Sequence, residues 1–554
     1  MSAQQQEKLD ALYALDNVLT IRITMAQADW DATRTEQPAG GICNFDWDGG
    51  ARYTWRKAAL VEITGTAFPS RVEFSDVGVK KKSFCGSINS EKPCIHLDFG
   101  KFSDTTESRS EDLLGSRYLT LNNSIQDASY VRQPLGYRLL GMAGLPHSRC
   151  NFARVFVNGA PIGQGFAGVN APGVYVNVEP IMKRYIERNF GNMNGNLYEI
   201  EHRDDFVEDR VRHIAVESLS EFENKADLRF AIERLAAHGI AGAAQVFDLE
   251  QFIRGYAMEF FLKHWDGYSN NTNNTYVYND VTAVETPGLG DVQFKLIPWG
   301  IDQTLRTDRR FKLGDTAVLA ELVREDAARR DQLFDQIRTY RDTIFSRKSQ
   351  QTVLRPLLDQ LQTLATELGV PDAAAQVATV RQQLRLAESA AYLLTGIPDG
   401  TAVYLLNEGP DAALHASSSE SIPPGAPSPQ NFEVYHWPLK DDDDPADLWQ
   451  INDTGDGRKS LTNQGSGRVL HASAGLTTDQ GHKYLYTCAP ANTDHAEEFT
   501  IVPSASAPAE FAYSGYCRLV SVRTKLQASY GMDLTPGGRA RVHQEPVGSR
   551  ICLY

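Results

Sequence analysis

The sequence predicts an α+β region reaching residue 396, followed by an all-β region over 400–554. Three observations carry this. Residues 1 to about 175 alternate short β-branched and aromatic runs with Gly and Pro, the texture of strands and turns. Residues 205 to 265 and 317 to 395 place apolar residues at three- and four-residue steps, the period of helices. After Gly396-Ile397-Pro398-Asp399-Gly400 short strands return, and one unit recurs: Leu414-His415-Ala416-Ser417, Leu470-His471-Ala472-Ser473 and Leu526-Gln527-Ala528-Ser529 stand 56 residues apart.

Taken in order, Lys80-Lys81-Lys82 reads as a solvated patch, and Lys92 to Leu97 as a strand. Asp127 and Ser129 suit the N-cap of a helix at about 130 to 142, with Arg132 one turn in. Gly163-Gln164-Gly165-Phe166-Ala167-Gly168 has the form G-x-G-x-x-G, but a phosphate loop of that kind opens a helix. Here Ala171-Pro172-Gly173 leads into the strand Val174-Tyr175-Val176, so a hairpin connection is expected. Glu179 precedes a helix over Pro180 to Phe190, with Ile181, Met182, Tyr185, Ile186 and Phe190 on one side. Phe252 to Leu262 reads as a largely buried helix; Thr275 to Tyr278 and Val292 to Ile297 are strands joined through Pro287, Gly288 and Gly290. The steps of Leu354, Leu357, Leu358, Leu361 and Leu364 mark the core of a helical subdomain.

Between that buried helix and the first strand lies His264-Trp265-Asp266-Gly267-Tyr268-Ser269-Asn270-Asn271. Its spacing, H-x-D-x-x-x-x-N, is that of a phosphotransfer loop, in which an Asp takes the proton of the attacking hydroxyl and an Asn five positions on helps hold a metal ion. An Asn-rich turn leaving a helix would look the same. The flanks favour chemistry, because the second strand runs into Pro298-Trp299-Gly300-Ile301-Asp302 and supplies a further carboxylate. Neither a G-x-S-x-G elbow nor an H-E-x-x-H helix is present, so hydrolase readings have no support.

His264-Trp265-Asp266 to Tyr278, followed by Ile297-Pro298-Trp299, resembles the spore-coat protein H kinase family of atypical secreted or coat-associated protein kinases. Asp127-Ala128-Ser129-Tyr130-Val131-Arg132 is similar to its D-x-S-x-x-R helix start, and Ala153 to Gly159 to its strand ending in Asn-Gly. Val176 to Glu179 with Lys183-Arg184, Gly195-Asn196-Leu197-Tyr198 and Lys92 to Leu97 match further segments, in the family's order, across roughly 55 to 305. The resemblance implies a two-lobed, protein-kinase-like fold over 1–396, with a strand-rich lobe to about 175 and a helical lobe from about 176. It implies an enzyme using ATP and Mg²⁺ (or Mn²⁺) to phosphorylate Ser or Thr of a protein substrate, one that is basic and Ser-rich given the acidic chain. Asp266 would be the base, Asn271 and Asp302 would hold metal, and Lys92, Arg132 and Glu179 would contact the nucleotide. Three departures matter. Gly300 stands where the family's P-W-D-x-D has its first Asp, Gln133 follows Arg132 in place of Glu, and Trp265 replaces the Arg on which conventional kinases dock an activation-loop phosphate. Gly300 keeps a second reading open: a pseudokinase fold joined to a lectin-like module, acting as a binding protein, adhesin or scaffold.

Each repeat closes on an apolar strand: Leu448-Trp449-Gln450-Ile451, Glu498-Phe499-Thr500-Ile501 and Ile551-Cys552-Leu553-Tyr554. Three strand-rich repeats that share one core predict a β-trefoil over 400–554. The region resembles the ricin-type lectins. The family's sugar-gripping Asp is replaced by His415, His471 and Gln527, so weak or absent galactose-type binding is expected, with a protein or a differently held glycan as ligand. Asp441 to Asp444 reads as a solvated loop.

A net charge of −15 argues against nucleic acid and anionic membranes as partners. No apolar run reaches membrane-spanning length, and Met1 to Gln6 has no signal-peptide character, so the chain as given reads as cytoplasmic, while the resemblance implies a secreted, spore or cell-surface protein. Of seven cysteines, Cys85 and Cys94 are near enough in sequence to bridge a hairpin, with free buried thiols as the alternative.

Overall fold

The computed structural model describes residues 1–554 apart from 48–49, 218–219, 314–315, 408–411, 417–431, 440–443, 478–482, 491–494, 504–513, 524–526, 531–539, 544–550 and 554. Ser417, Asp441 to Asp443, Leu526 and Tyr554 of the readings above lie outside the described residues. The chain divides into two compact units: Met1–Gln336 with Asp342–Arg381, and Ile337–Arg341 with Gln382–Tyr554.

In the first unit, β1 (Leu19–Met25), β2 (Arg56–Gly65), β3 (Phe68–Lys81), β4 (Ile95–Asp98), β5 (Tyr118–Asn122), β6 (Cys150–Val157), β7 (Ala160–Pro161) and β8 (Val174–Val178) form one sheet in the order β1-β2-β3-β4-β5-β8-β6-β7. The sheet closes on itself, because β1 also pairs in parallel with β6, Leu19 opposite Ala153 and Ile23 opposite Val157. Strand alternation turns Leu19, Ile21, Ile23, Val61, Ile63, Val77, Val79, Ile95, Leu97, Leu119, Leu121 and Val155 into one buried cluster. The G-x-G-x-x-G segment joins β7 to β8 and opens no helix.

Alternation also decides the lysine run. Lys81 is buried, and its Nζ donates to the carbonyls of Arg34 and Glu36 at 3.0 Å each, closing the end of the helix α1 (Gln27–Thr35). The expected solvated patch is therefore corrected at this residue: the pleat sends Lys81 to the face that α1 covers. The cysteine expectation changes too. Cys85 pairs with Cys43, whose Cα lies 4.8 Å away, and Cys94 is a buried free thiol on the β4 side.

A second sheet, β9 (Leu197–Ile200), β10 (Ala215–Val216), β11 (Thr275–Asn279) and β12 (Phe294–Pro298), has the order β10-β9-β11-β12. Thr275 lies opposite Pro298 and Tyr276 opposite Ile297, so this hairpin sets the start of the Asp266 segment's exit strand beside Trp299. Helices α2 (Arg132–Met142), α3 (Lys183–Asn189), α4 (Ala226–Val246) and α5 (Leu249–Leu262) complete the part of the unit that positions the site. The helix expected from 205 starts only at Ala226. Before it, Asp205 fixes a loop by accepting the Tyr268 hydroxyl and the Val318 N–H, both at 2.8 Å, and such side-chain bonds compete with helix.

In the second unit, β13 (Thr401–Asn407), β14 (Ala412–Ala416), β15 (Phe432–Pro438), β16 (Leu448–Gly455), β17 (Arg458–Asn463), β18 (Val469–Thr477), β19 (Lys483–Cys488), β20 (Phe499–Pro503), β21 (Cys517–Ser521), β22 (Gln527–Tyr530), β23 (Ala540–His543) and β24 (Ile551–Leu553) fall into three groups of four. The outer strands of each group pair around a ring, β13-β16-β17-β20-β21-β24 and back to β13. The inner strands form three hairpins, β14–β15, β18–β19 and β22–β23. A six-strand ring capped by three hairpins is a β-trefoil. Leu405, Leu461 and Cys517, one from each repeat, are fully buried in a core with Trp449, Phe499 and Ile551. Trp449 Nε1 donates to the Leu414 carbonyl at 2.7 Å, so the aromatic of the closing strand ties down the repeat's own His-bearing strand.

Candidate active site

The Asp266 segment is shaped by what precedes it. Helix α5 begins on an Asp248 cap that accepts the Gln251 N–H, and ends at Lys263, whose φ of 48° lies in the left-handed region. Glu259, in its last turn, is buried and accepts the backbone N–H of Ser269 at 3.2 Å as well as the Ser269 hydroxyl. The loop is thus pinned back onto the helix. Burial pushes the Glu259 carboxyl up to about 7, against the smaller lowering effect of Ser269. His264 lies fully buried beneath the loop, and burial brings it down to about 4 despite the pull of Asp266. Thr272, Asn274 and Leu305 also have positive φ, at 42°, 48° and 53°, so left-handed residues gather around this segment. For a β-branched Thr that is a strained state, and strain of this sort concentrates at functional loops.

Asp266 is 8% exposed and ringed by amides. Oδ1 accepts from Asn271 Nδ2 at 2.7 Å and Asn273 Nδ2 at 3.1 Å; Oδ2 accepts from Asn274 Nδ2 at 3.0 Å and Gln303 Nε2 at 3.2 Å. Because Asn271 donates through Nδ2, its Oδ1 is the end left to face a cation. Asn274 Nδ2 also reaches the Asp266 carbonyl at 2.8 Å. Its side chain occupies the space where a side chain at 300 would begin: a Cβ on Gly300, whose φ is 54°, would stand 2.2 Å from Asn274 Oδ1. The glycine and the asparagine are a fitted pair.

Asp302 sits on the short 3₁₀ turn Ile301–Gln303, as buried as Asp266, with Oδ2 accepting from Asn122 Nδ2 at 3.3 Å. Burial and the charges of Asp127 and Asp266 push its carboxyl up to about 7, only partly offset by Asn122. Arg132 pairs with Asp127, whose Oδ2 accepts the Arg132 backbone N–H at 3.0 Å from outside the helix, while the N-cap position itself is Val131. The Arg132 guanidinium answers Asp127, and Arg306, which also feels Asp302 and Asp127, is itself paired with Asp308, so the carboxylates Asp127, Asp266, Asp302 and Asp308 outnumber the two guanidiniums. A divalent cation fits that imbalance, with Asn271 and Asp302 as oxygen donors of the hard type such an ion takes.

The other two expected residues are placed differently. Lys92 is buried, and its Nζ donates to the Tyr130 hydroxyl at 2.6 Å and to the carbonyls of Asn170 and Ala171 at 3.2 Å. Burial lowers its amine to about 7. It lies in the bend before β4, outside the strand expected to start there, where its carbonyl accepts from Asn123 Nδ2 at 2.8 Å, and its ammonium is spent on the 170–171 loop. Glu179 is not brought to the Asp266 group. Its carboxylate accepts from Arg149 Nε at 3.1 Å, Arg149 Nη2 at 2.7 Å and Arg188 Nη2 at 2.6 Å. Burial would raise it, and the two guanidiniums outweigh that and hold it below the usual range. Asn122, Asn273, Asn274 and Gln303 were missed in the sequence. The run Asn270 to Asn274 was visible, but a polar turn and an amide cage around a carboxylate share one composition.

No helix of the described residues is long and apolar enough to cross a membrane. No curated protein matches the chain. Among solved structures, the designed three-fold symmetric protein ThreeFoil is 16% identical, covering 27% of this chain and 96% of its own, with a TM-score of 0.23. A ricin B-like lectin from Macrolepiota procera, solved with lactose, is 15% identical over 29% of this chain and 98% of its own, with a TM-score of 0.22. The family model described as CotH kinase protein matches residues 82–359, which is half of the chain and includes Asp266, Asn271 and Asp302. The chain belongs to the CotH kinase protein family.

Proposed function

We propose that the first unit is an atypical protein kinase that transfers the γ-phosphate of ATP to a Ser or Thr hydroxyl of a protein substrate. The observation that carries this reading is the buried Asp302 carboxyl, pushed up by burial and by the charges of Asp127 and Asp266, in a site where Asp266 holds the amide of Asn271. A bound Mg²⁺ or Mn²⁺ would neutralise phosphate charge as it builds on the leaving group. Asn271 Oδ1 and Asp302 would hold it. Asp266 takes the hydroxyl proton, and its ring of amides keeps the carboxylate aimed while it does so. One of the longer contacts, Asn273 at 3.1 Å or Gln303 at 3.2 Å, yields its place to the incoming hydroxyl. Arg132 holds Asp127 next to Asp302. For Lys92 to reach a phosphate, the 170–171 loop must release its Nζ. Glu179 acts at a distance by fixing Arg149 and Arg188.

The Cys43–Cys85 disulfide supports an oxidising location, as in exported or surface proteins. The trefoil serves to bring the kinase unit to a glycan or protein target. Gly300 favours the second reading, a pseudokinase scaffold, because Asn274 fills the place of the missing side chain. Incubation of the purified protein with labelled ATP and Mg²⁺ or Mn²⁺ separates the two. Label on protein that Asp266→Asn abolishes supports the kinase; no label with either metal supports the scaffold.

A further inference from the structure

We propose that the trefoil binds a divalent transition-metal ion, zinc by its donor set, between His415, Asp444 and Asp447. An imidazole nitrogen and one oxygen from each carboxylate lie within 4.8 Å of one another. Ligands of a tetrahedral zinc at ~2.1 Å bonds stand about 3.4 Å apart, so small side-chain rotations close the set. The three residues come from β14 and from the turn just before β16, which the repeat's own core holds together through Trp449 and Leu414.

The independent sign of a cation is Asp447. Its side chain is 1% exposed, Oδ1 meets His415 Nδ1 at 2.8 Å, and Oδ2 is buried without a hydrogen-bond partner. A carboxylate oxygen out of water and without a donor is costly, and buried carboxylates are normally paired or bound to metal. Among the described residues the ion pair of Asp447 is with His415, which is itself a metal ligand type.

The next repeat builds a related group. His471, Cys488 and Glu497 also bring three ligand atoms within 4.8 Å. His471 follows His415 by one repeat, and Glu497, like Asp447, stands two residues before the core aromatic, Phe499 or Trp449. Here Cys488 stands between the two, 3.6 Å from His471 Nδ1 and 3.5 Å from Glu497 Oε1, so a His near a buried acid recurs in the second repeat, while the third has Gln527 at the His position. One nitrogen with two carboxylate oxygens suits zinc, which accepts three protein ligands and a water; calcium and magnesium prefer oxygen throughout and more of it.

The full chain, stripped with EDTA and exchanged into buffer with excess Mg²⁺, should be titrated with Zn²⁺ by calorimetry and with Co²⁺ by visible absorption. Zinc binding is expected in the wild type, with tetrahedral-type cobalt bands. His415→Gln and Asp444→Asn should each weaken the site at least tenfold and diminish those bands, while the melting temperature without metal stays near that of the wild type. Asp444 is half-buried at a turn, so its variant tests the site without disturbing the core. Absence of zinc binding in the wild type, or wild-type affinity in either variant, overturns the proposal.

Discussion

Replacing Gly300 by Ala should destabilise the first unit through Asn274, and the size of the effect follows from two contacts. A non-glycine residue at φ 54° costs ~1–2 kcal/mol by itself. The new Cβ, 2.2 Å from Asn274 Oδ1, also drives that side chain out of its place. Asn274 then gives up its bonds to the Asp266 carbonyl at 2.8 Å and to Oδ2 at 3.0 Å. A neutral bond contributes about 1 kcal/mol and one to a charged group about 1.5–3 kcal/mol, so the total with the backbone strain reaches roughly 3.5–6 kcal/mol. In an Asn274→Ala background those bonds are already absent, and Gly300→Ala should cost only the ~1–2 kcal/mol of backbone strain. The coupling, roughly 3 kcal/mol, is read from a double-mutant cycle in urea, followed by helical circular dichroism of the full chain. Additive single mutants, with coupling below about 0.5 kcal/mol, would refute the fitted-pair argument. The same cycle bears on chemistry: Gly300→Asp alone should not add a metal ligand, because Asn274 must leave first.

Asp266→Asn should lower phosphoryl transfer by ~10²–10⁴ while nucleotide affinity stays near wild type, and near-normal turnover in a radiolabel assay would remove Asp266 from the base role. Asp302→Ala should abolish metal-dependent ATP binding; calorimetry giving equal MgATP affinity for variant and wild type would place the metal elsewhere. Glu259, held up to about 7 in the fold against an ordinary 4.5, keeps its proton in the native state between those values and loses it when unfolded. Stability should therefore fall as pH rises from about 4.5 through 7, by up to ~3 kcal/mol, and be lowest above 7. Glu259→Gln should flatten this slope, and parallel wild-type and variant curves of melting temperature between pH 5 and 8 would contradict it.

The trefoil was legible because a repeat states its own register: Leu405, Leu461 and Cys517 fall on equivalent core points, and substitution of Cys for Leu does not hide the period. The loop at Asp266 was legible because its spacing is local. What escaped was non-local or shared a composition with something duller. The Cys43 partner of Cys85 is 42 residues back, and no hairpin logic points to it. Glu179 sits just ahead of a helix, a place that suits a nucleotide contact, yet Arg149 comes from the loop before β6 to occupy it. Lys81 lay in a run of three identical residues, and only the pleat of β3 says which one is buried. Asn122 reaches Asp302 across 180 positions, a pairing no window on the sequence could contain.

The closed sheet of the first unit has a consequence for synthesis. Its first strand, β1, finds one of its two neighbours in β6, at residues 153–157, and the seam is complete only when β8, at 174–178, has joined β5 to β6. A chain leaving the ribosome therefore carries Leu19, Ile21 and Ile23 with one edge unpaired until more than 150 residues have emerged. During that interval the apolar face of β1 and β2 is open to other nascent chains or to chaperones. Fragments that stop short of residue 178 should collect as aggregates, and refolding of the whole unit should be slow for its size, because its last pairing joins positions far apart in the chain.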